Sequence, residues 1–367
     1  MKYYISELIT ENKVMKTAGI KARDDANAIV ESLGWKPLIV ENNKEENEKR
    51  KQAGLSGKLK FHKVIRDRWI SATKELKAGD ELFIQFPAIS HSLLLYQAIA
   101  KIQKRGVRVV LLIHDLELFR AALRKDHNPS LGKKIRITLE EKTILKSVDG
   151  VIVHNSKMKE IVKGFGVDEA KLIDLGIFDY LIPAADDEKM QKLSDEAYHL
   201  DAPVVIAGNL RKHKAGYAYK LPETPAYNLY GVDYEHTQKN VTYFGAFPPD
   251  DLPFVMKGSF GLVWDGEQSG TCSGVYGEYL KMNNPHKTSL YLAAGMPVVI
   301  WKQAALADFV SKNKCGILVE SLYDLEKEIS SVTPEEYEEM KKNALHISKE
   351  LRTGMNTCRA LENFSSL

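Results

Sequence analysis

Lys287 follows Asn284-Pro285-His286 and precedes an apolar run with helical spacing. Proline suits a helix start because its missing N–H is one of the donors a first turn leaves free, and Asn284 just before it is a good cap. The pattern predicts a helix with a lysine in its first turn, where the charge works against the helix dipole. Such a lysine makes chemical sense when a phosphate sits between the ammonium and the free N–H groups. A surface lysine on an ordinary helix is the competing reading. His286 and Thr288 flank Lys287 and are candidates for the same ligand.

Two other clusters carry matching chemistry. Gly208-Asn209-Leu210-Arg211-Lys212 follows a buried run at Val204–Ala207. Gly208 allows close backbone approach, Asn209 supplies an amide, and Arg211 or Lys212 can offset phosphate charge; Lys214 and Lys220 belong to the same basic loop. Ile113-His114-Asp115 ends another buried run, so polar groups emerge where α/β enzymes place their ligands. His114 or Asp115 could orient or deprotonate a hydroxyl. The alternative is that Asp115 caps the next segment and His114 is a satisfied core histidine. Tyr230 could stack on a base or simply pack. Lys21, Arg23 and Asp24, at the first βα loop, are candidates for contact with donor or acceptor; for Arg23 and Asp24 a charged first helical turn exposed to water is the alternative.

These residues need strands to carry them. Strands are predicted at Tyr3–Ile5, Pro37–Val40, Glu81–Gln85, Arg108–Ile113, Val148–Asn155 and Lys171–Leu175. Helices are predicted between them near Ala22–Leu33, Phe61–Leu76, His91–Arg105 and Lys157–Phe165, the last capped by Ser156. The pattern restarts with strands at Val204–Ala207, Ala226–Gly231, Val241–Gly245, Phe260–Trp264, Val298–Ile300 and Ile317–Val319. Strand and helix in alternation argue for parallel sheets. A chain of 367 residues is long enough for two cores. The expected division is 1–182, a polar linker at 183–202, 203–345, and C-terminal helices at 346–367. Four glycines between Asp265 and Asn284 match no phosphate-binding fingerprint and read as a flexible loop.

Composition removes other classes. A net charge of +3 is too small to argue for nucleic acid. Three cysteines, none at metal-ligand spacing, point to reduced thiols and a cytoplasmic setting. The N-terminus lacks a signal-peptide apolar run, and no stretch of eighteen apolar residues occurs. The basic runs Lys101–Arg105 and Arg124–Arg136 read as solvated helix faces, with peripheral membrane contact as the other reading.

The stretch NNPHKTSLYLAAGMPVVI from Asn283 to Ile300, with FGLVWDG before it, resembles the nucleotide-sugar half of GT-B glycosyltransferases. More narrowly, it resembles the bacterial beta-1,6-galactofuranosyltransferases, related to the glucosyltransferases that extend glycans on streptococcal adhesins. The matching features are Lys287, the Ala293-Ala294-Gly295 break and Pro297-Val298-Val299. The resemblance implies an α/β fold of two Rossmann-like domains facing across a cleft, with a C-terminal helix crossing back to the first domain. It implies a UDP-sugar donor, with Lys287 and Arg211 on the diphosphate and Gly208, Asn209, Tyr230, Asn284, His286 and Thr288 around it. It also brings Asp115 and His114 forward as catalytic candidates at the acceptor, and His154, Asn155 and Ser156 as a second rank. No Asp-x-Asp metal site is present, and none is required. A glycan, lipid-linked glycan or glycoprotein acceptor and a homo-oligomer follow from the same resemblance. A nucleotide-sugar-binding subunit without catalysis and a UDP-sugar epimerase stay as alternatives.

Overall fold

Strand and helix alternate along the chain, and the computed structural model arranges the strands in two six-stranded sheets, every pairing parallel. It describes residues 1–9, 20–42, 54–123, 132, 135, 137–183 and 185–367. The Thr17-Ala18-Gly19 loop, residues 43–53 of the polar stretch and most of the Arg124–Arg136 run lie outside the described residues.

The first sheet contains β1 (Lys2–Ile9), β2 (Lys36–Asn42), β3 (Glu81–Phe86), β4 (Arg108–Ile113), β5 (Gly150–Val153) and β6 (Leu172–Asp174), in the order β2-β1-β3-β4-β5-β6. Burial of both faces explains the unbroken apolar runs: Val109 to Ile113 are all buried. The second contains β7 (Val204–Asn209), β8 (Tyr227–Val232), β9 (Val241–Tyr243), β10 (Gly261–Val263), β11 (Val298–Trp301) and β12 (Gly316–Val319), in the order β12-β11-β10-β7-β8-β9. Each sheet reverses its winding once, between β1 and β3 in the first and between β7 and β10 in the second. In open α/β sheets, ligands bind at the carboxyl ends of the strands flanking such a reversal.

By contacts, the described residues of 1–14, 27–175 and 359–367 form one unit, and those of 15–26 and 176–358 the other. The end of the chain thus belongs to the first sheet's unit. There Arg108 donates to the Phe364 carbonyl at 2.9 Å, and its guanidinium lies 4.5 Å from the Phe364 ring centre. The polar stretch after Pro183 carries a helix, Asp187–Ala197, capped by Asp186, and its Met190 is part of the second core.

Several local expectations are corrected. The helix expected at Phe61–Leu76 runs Leu55–Ala72, and the one at His91–Arg105 begins only at Leu95. Asn155, not Ser156, caps the helix Ser156–Gly164, because its Oδ1 accepts the N–H groups of Lys157 and Met158. The glycine-containing stretch after Asp265 is folded: it contains a helix at Gly274–Tyr279, and a Cβ on Gly277 would lie 2.4 Å from the Cys272 carbonyl carbon.

Candidate functional site

The helix His286–Ala293 lies against the second sheet with Thr288 to Ala293 all buried. Its cap position is Pro285, without a side-chain cap; Asn284 instead donates its amide to the Gly176 carbonyl at 2.9 Å. At the other end Gly295, at φ +78°, closes the helix: its N–H bonds Leu292 and the N–H of Met296 bonds Tyr291. This paired closure requires the left-handed conformation that glycine adopts without strain.

Tyr291 keys the helix to the sheet. Its hydroxyl accepts the Ala207 N–H at 2.7 Å, on β7 beyond the only register pair that β7 shares with β10, Val205 with Gly261. A Cβ on Gly261 would lie 2.2 Å from the Tyr291 ring, so glycine makes room for it. Lys287 is one turn earlier on the same helix face, since residues four apart share a face. It therefore points to the carboxyl ends of the same two strands. Its ammonium donates to the Trp264 carbonyl at 2.7 Å and to Asp265 Oδ1 at 2.9 Å. Burial works against this charge, while the Asp265 carboxylate, together with the neighbouring Tyr291 and Cys272, favours it, and the Lys287 pKa lies above the usual lysine value.

The Arg211 loop lies beside this pair. The Lys214 N–H donates to the Arg211 carbonyl, and the Lys214 carbonyl accepts the Gly266 N–H. Asn209 Oδ1 accepts the Arg211 N–H at 3.1 Å, and Arg211 meets Asp233 at 2.5 Å in an exposed ion pair. Gly208, at φ +127°, lies within β7 in register with Gly231 of β8. Arg211, Tyr219, Asp233 and His236 line a polar cavity of about 500 Å³.

His286 stacks on Tyr180 with ring centres 5.0 Å apart, and its Nε2–H donates to the Asp179 carbonyl at 3.3 Å. Burial lowers its pKa to about 4, so it is neutral at pH 7. Its Nδ1 has no hydrogen-bond partner among the described residues, and neither does the buried hydroxyl of Thr288. Tyr230 is in the core: its ring stacks on Phe244 at 4.9 Å and its hydroxyl accepts the Lys257 N–H. Lys21 is buried and engaged, bonded to Asp25, Asp250 and the Leu181 carbonyl.

In the first unit, His114 Nε2 lies 2.7 Å from Gln85 Oε1. Asp115 is 47% exposed and pairs with Arg120 at 3.2 Å. The helix Glu117–Leu123 takes its cap from Glu141, which accepts the N–H groups of Glu117 and Leu118. Burial raises the Glu141 pKa to about 8. His154 is buried 3.0 Å from the Ile113 carbonyl, and burial lowers its pKa to about 4. Among the described residues, no cluster of three or more His, Cys, Asp or Glu could hold a metal ion, and no helix is long and apolar enough to cross a membrane.

Residues 2–177 match the Glucosyltransferase 3-like N-terminal domain, and residues 204–364 match the C-terminal domain of the same description. The chain belongs to this family of glycosyltransferases. Beta-1,6-galactofuranosyltransferase WbbI of Escherichia coli K12 is 35% identical over 287 residues, covering 76% of this chain and 77% of that one. Glucosyltransferase 3 of Streptococcus parasanguinis is 23% identical, covering 78% of each chain. The fold is that of Anabaena Alr3699/HepE in complex with UDP, with a TM-score of 0.60 at 13% identity and full coverage of both chains. The GT-B expectation therefore holds.

Asp265, the partner of Lys287, and Tyr291, the residue that aims it, are not among the residues expected from the sequence. The four-residue spacing of Lys287 and Tyr291 was the available signal. The carboxylate partner depends on β10 and the helix meeting in space.

Proposed function

We propose that this glycosyltransferase moves a hexose, galactofuranose or glucose, from a UDP-sugar to a glycan, lipid-linked glycan or glycoprotein acceptor. The observation that carries the reading is the Asp265-tethered ammonium of Lys287, in the first turn of a helix at the β7/β10 reversal. The names of the relatives support the sugars, and the HepE structures in complex with UDP and with UDP-glucose support the donor class.

In this reading residues 203–345 hold the donor and residues 1–182 the acceptor. Lys287, the first-turn N–H groups and Thr288 Oγ1 receive the diphosphate, and Arg211 exchanges Asp233 for a phosphate oxygen. When the anomeric C–O bond breaks, its electron pair passes to the diphosphate, whose charge these groups offset. Neutral His286 has a different task, because with Nε2–H donating to a carbonyl, Nδ1 is an acceptor. An acceptor suits a sugar hydroxyl, not a phosphate oxygen. Gly208, Asn209 and Asn284 shape the backbone around the donor. The same reading has the enzyme self-associated in the cytoplasm, peripheral to the membrane when its acceptor is lipid-linked.

The test is a thermal-shift panel of UDP, UDP-glucose, UDP-galactofuranose, UDP-N-acetylglucosamine and GDP-mannose, since a ligand bound only by the native state raises the melting temperature. A rise with UDP and one UDP-sugar supports the reading. No rise with any nucleotide contradicts it.

A further inference from the structure

The first sheet has its own reversal between β1 and β3, and the loop leaving β3 there is Pro87 to Leu94. Two carboxylates brace this loop. Glu7, near the end of β1, accepts the Ile89 N–H at 2.8 Å and the Ser90 N–H at 3.4 Å. Glu140, from a short π-helix at Thr138–Thr143, accepts the Ser92 N–H. A third element, the helix Leu55–Ala72, supports it through His62, whose carbonyl accepts the Ser92 hydroxyl and whose Nδ1 accepts the Leu93 N–H. Between these braces stands His91, 34% exposed, with Nδ1 3.5 Å from Glu140 Oε2. Glu140 itself is buried.

An imidazole at a ligand-binding edge, with a buried carboxylate 3.5 Å from Nδ1, has the arrangement of a general base: the carboxylate supports the imidazolium that forms. Asp115 is differently placed. It follows β4, one strand beyond the reversal, and is paired with Arg120.

We propose that His91, oriented by Glu140, is the base that activates the acceptor hydroxyl; this rests on the glycosyl-transfer reading above. The acceptor oxygen bonds to the anomeric carbon and gives its proton to His91 Nε2. The anomeric C–O bond to the diphosphate breaks, and its electron pair leaves with UDP. The proton then passes from His91 to solvent, and Glu140 remains a carboxylate throughout.

The experiment measures UDP release from UDP-galactofuranose and UDP-glucose, with a panel of octyl hexopyranosides as acceptors. UDP binding is measured in parallel for every variant. His91→Ala is expected to lose about 10²–10⁴-fold in kcat, the range for one positioned base, while binding UDP like the wild type. Added imidazole restores part of that rate. Glu140→Gln loses less, and the double variant falls no further than His91→Ala alone, because the two residues act as one unit. His91→Gln gives the same readings should the alanine variant fold poorly.

Wild-type kcat in folded His91→Ala or His91→Gln overturns the proposal. So does a full loss in Asp115→Asn with no loss in the His91 variants. A wild-type protein that neither binds UDP nor releases it from any donor overturns the donor reading instead, which separates the two failures.

Discussion

Lys287 and Asp265 form an ion pair at 2.9 Å with side chains only 17% and 12% exposed, between the first turn of a helix and the carboxyl end of β10. An isolated lysine so enclosed would be costly, and the carboxylate offsets part of that cost. The pair makes the ammonium a fixed feature of the site, ready for a second anion.

Removing the carboxylate should separate binding from catalysis. In Asp265→Asn the ammonium loses its internal counter-charge, so UDP becomes the main anion available to it. UDP affinity is expected to rise by a few fold while kcat falls about tenfold, because the charge is no longer held in one position. Titration calorimetry with steady-state kinetics checks both; an unchanged kcat contradicts the positioning role.

Loss of the charge itself should be larger. Lys287→Ala is expected to lower turnover by about 10²–10³-fold, the scale for removing one preorganised charge partner from a leaving group. Near-ultraviolet dichroism establishes that the variant is folded, and UDP release then measures the effect. Full activity in a folded variant removes Lys287 from the diphosphate.

Tyr291→Phe tests what aims the lysine. It leaves the Ala207 N–H buried without its 2.7 Å acceptor, which should cost about 1–3 kcal/mol and lower Tm by several degrees. Turnover should fall as well, since Lys287 is one turn from the lost anchor. A Tm equal to the wild type's contradicts the anchoring role.

The buried histidines set a sign for acid sensitivity. His154 is lowered to about 4 in the fold against an ordinary value near 6.5, so between these pH values the unfolded chain binds the extra proton. The stability this group contributes is complete above about pH 6.5 and is lost as pH falls toward 4. Burial raises the pKa values of Asp25, to about 6, and Glu141, to about 8, which works in the opposite direction. His154→Gln should therefore lose less stability than the wild type between pH 7 and pH 5, by about 1–2 kcal/mol. Urea melts at the two pH values check it; parallel loss in both proteins contradicts it.

The strands were legible because both sheets are buried on both faces, which writes them as continuous apolar runs such as Val109–Ile113. The Lys287 helix was legible from Pro285 and Gly295, whose backbone demands show in the sequence. Its cap was misread, since Asn284 is drawn away by the Gly176 carbonyl, a contact across more than a hundred residues. His91 was read as the start of a helix that begins at Leu95. Nothing local links it to Glu140, because the contact exists only once β3 and the π-helix are in place.

The role of Lys287 at the diphosphate is decided by the UDP dissociation constant of the wild type against that of Lys287→Ala, by titration calorimetry at one ionic strength. UDP is expected to bind the wild type, and the variant at least about tenfold more weakly, a loss of about 1.4 kcal/mol or more. Equal affinity in the two folded proteins would contradict it.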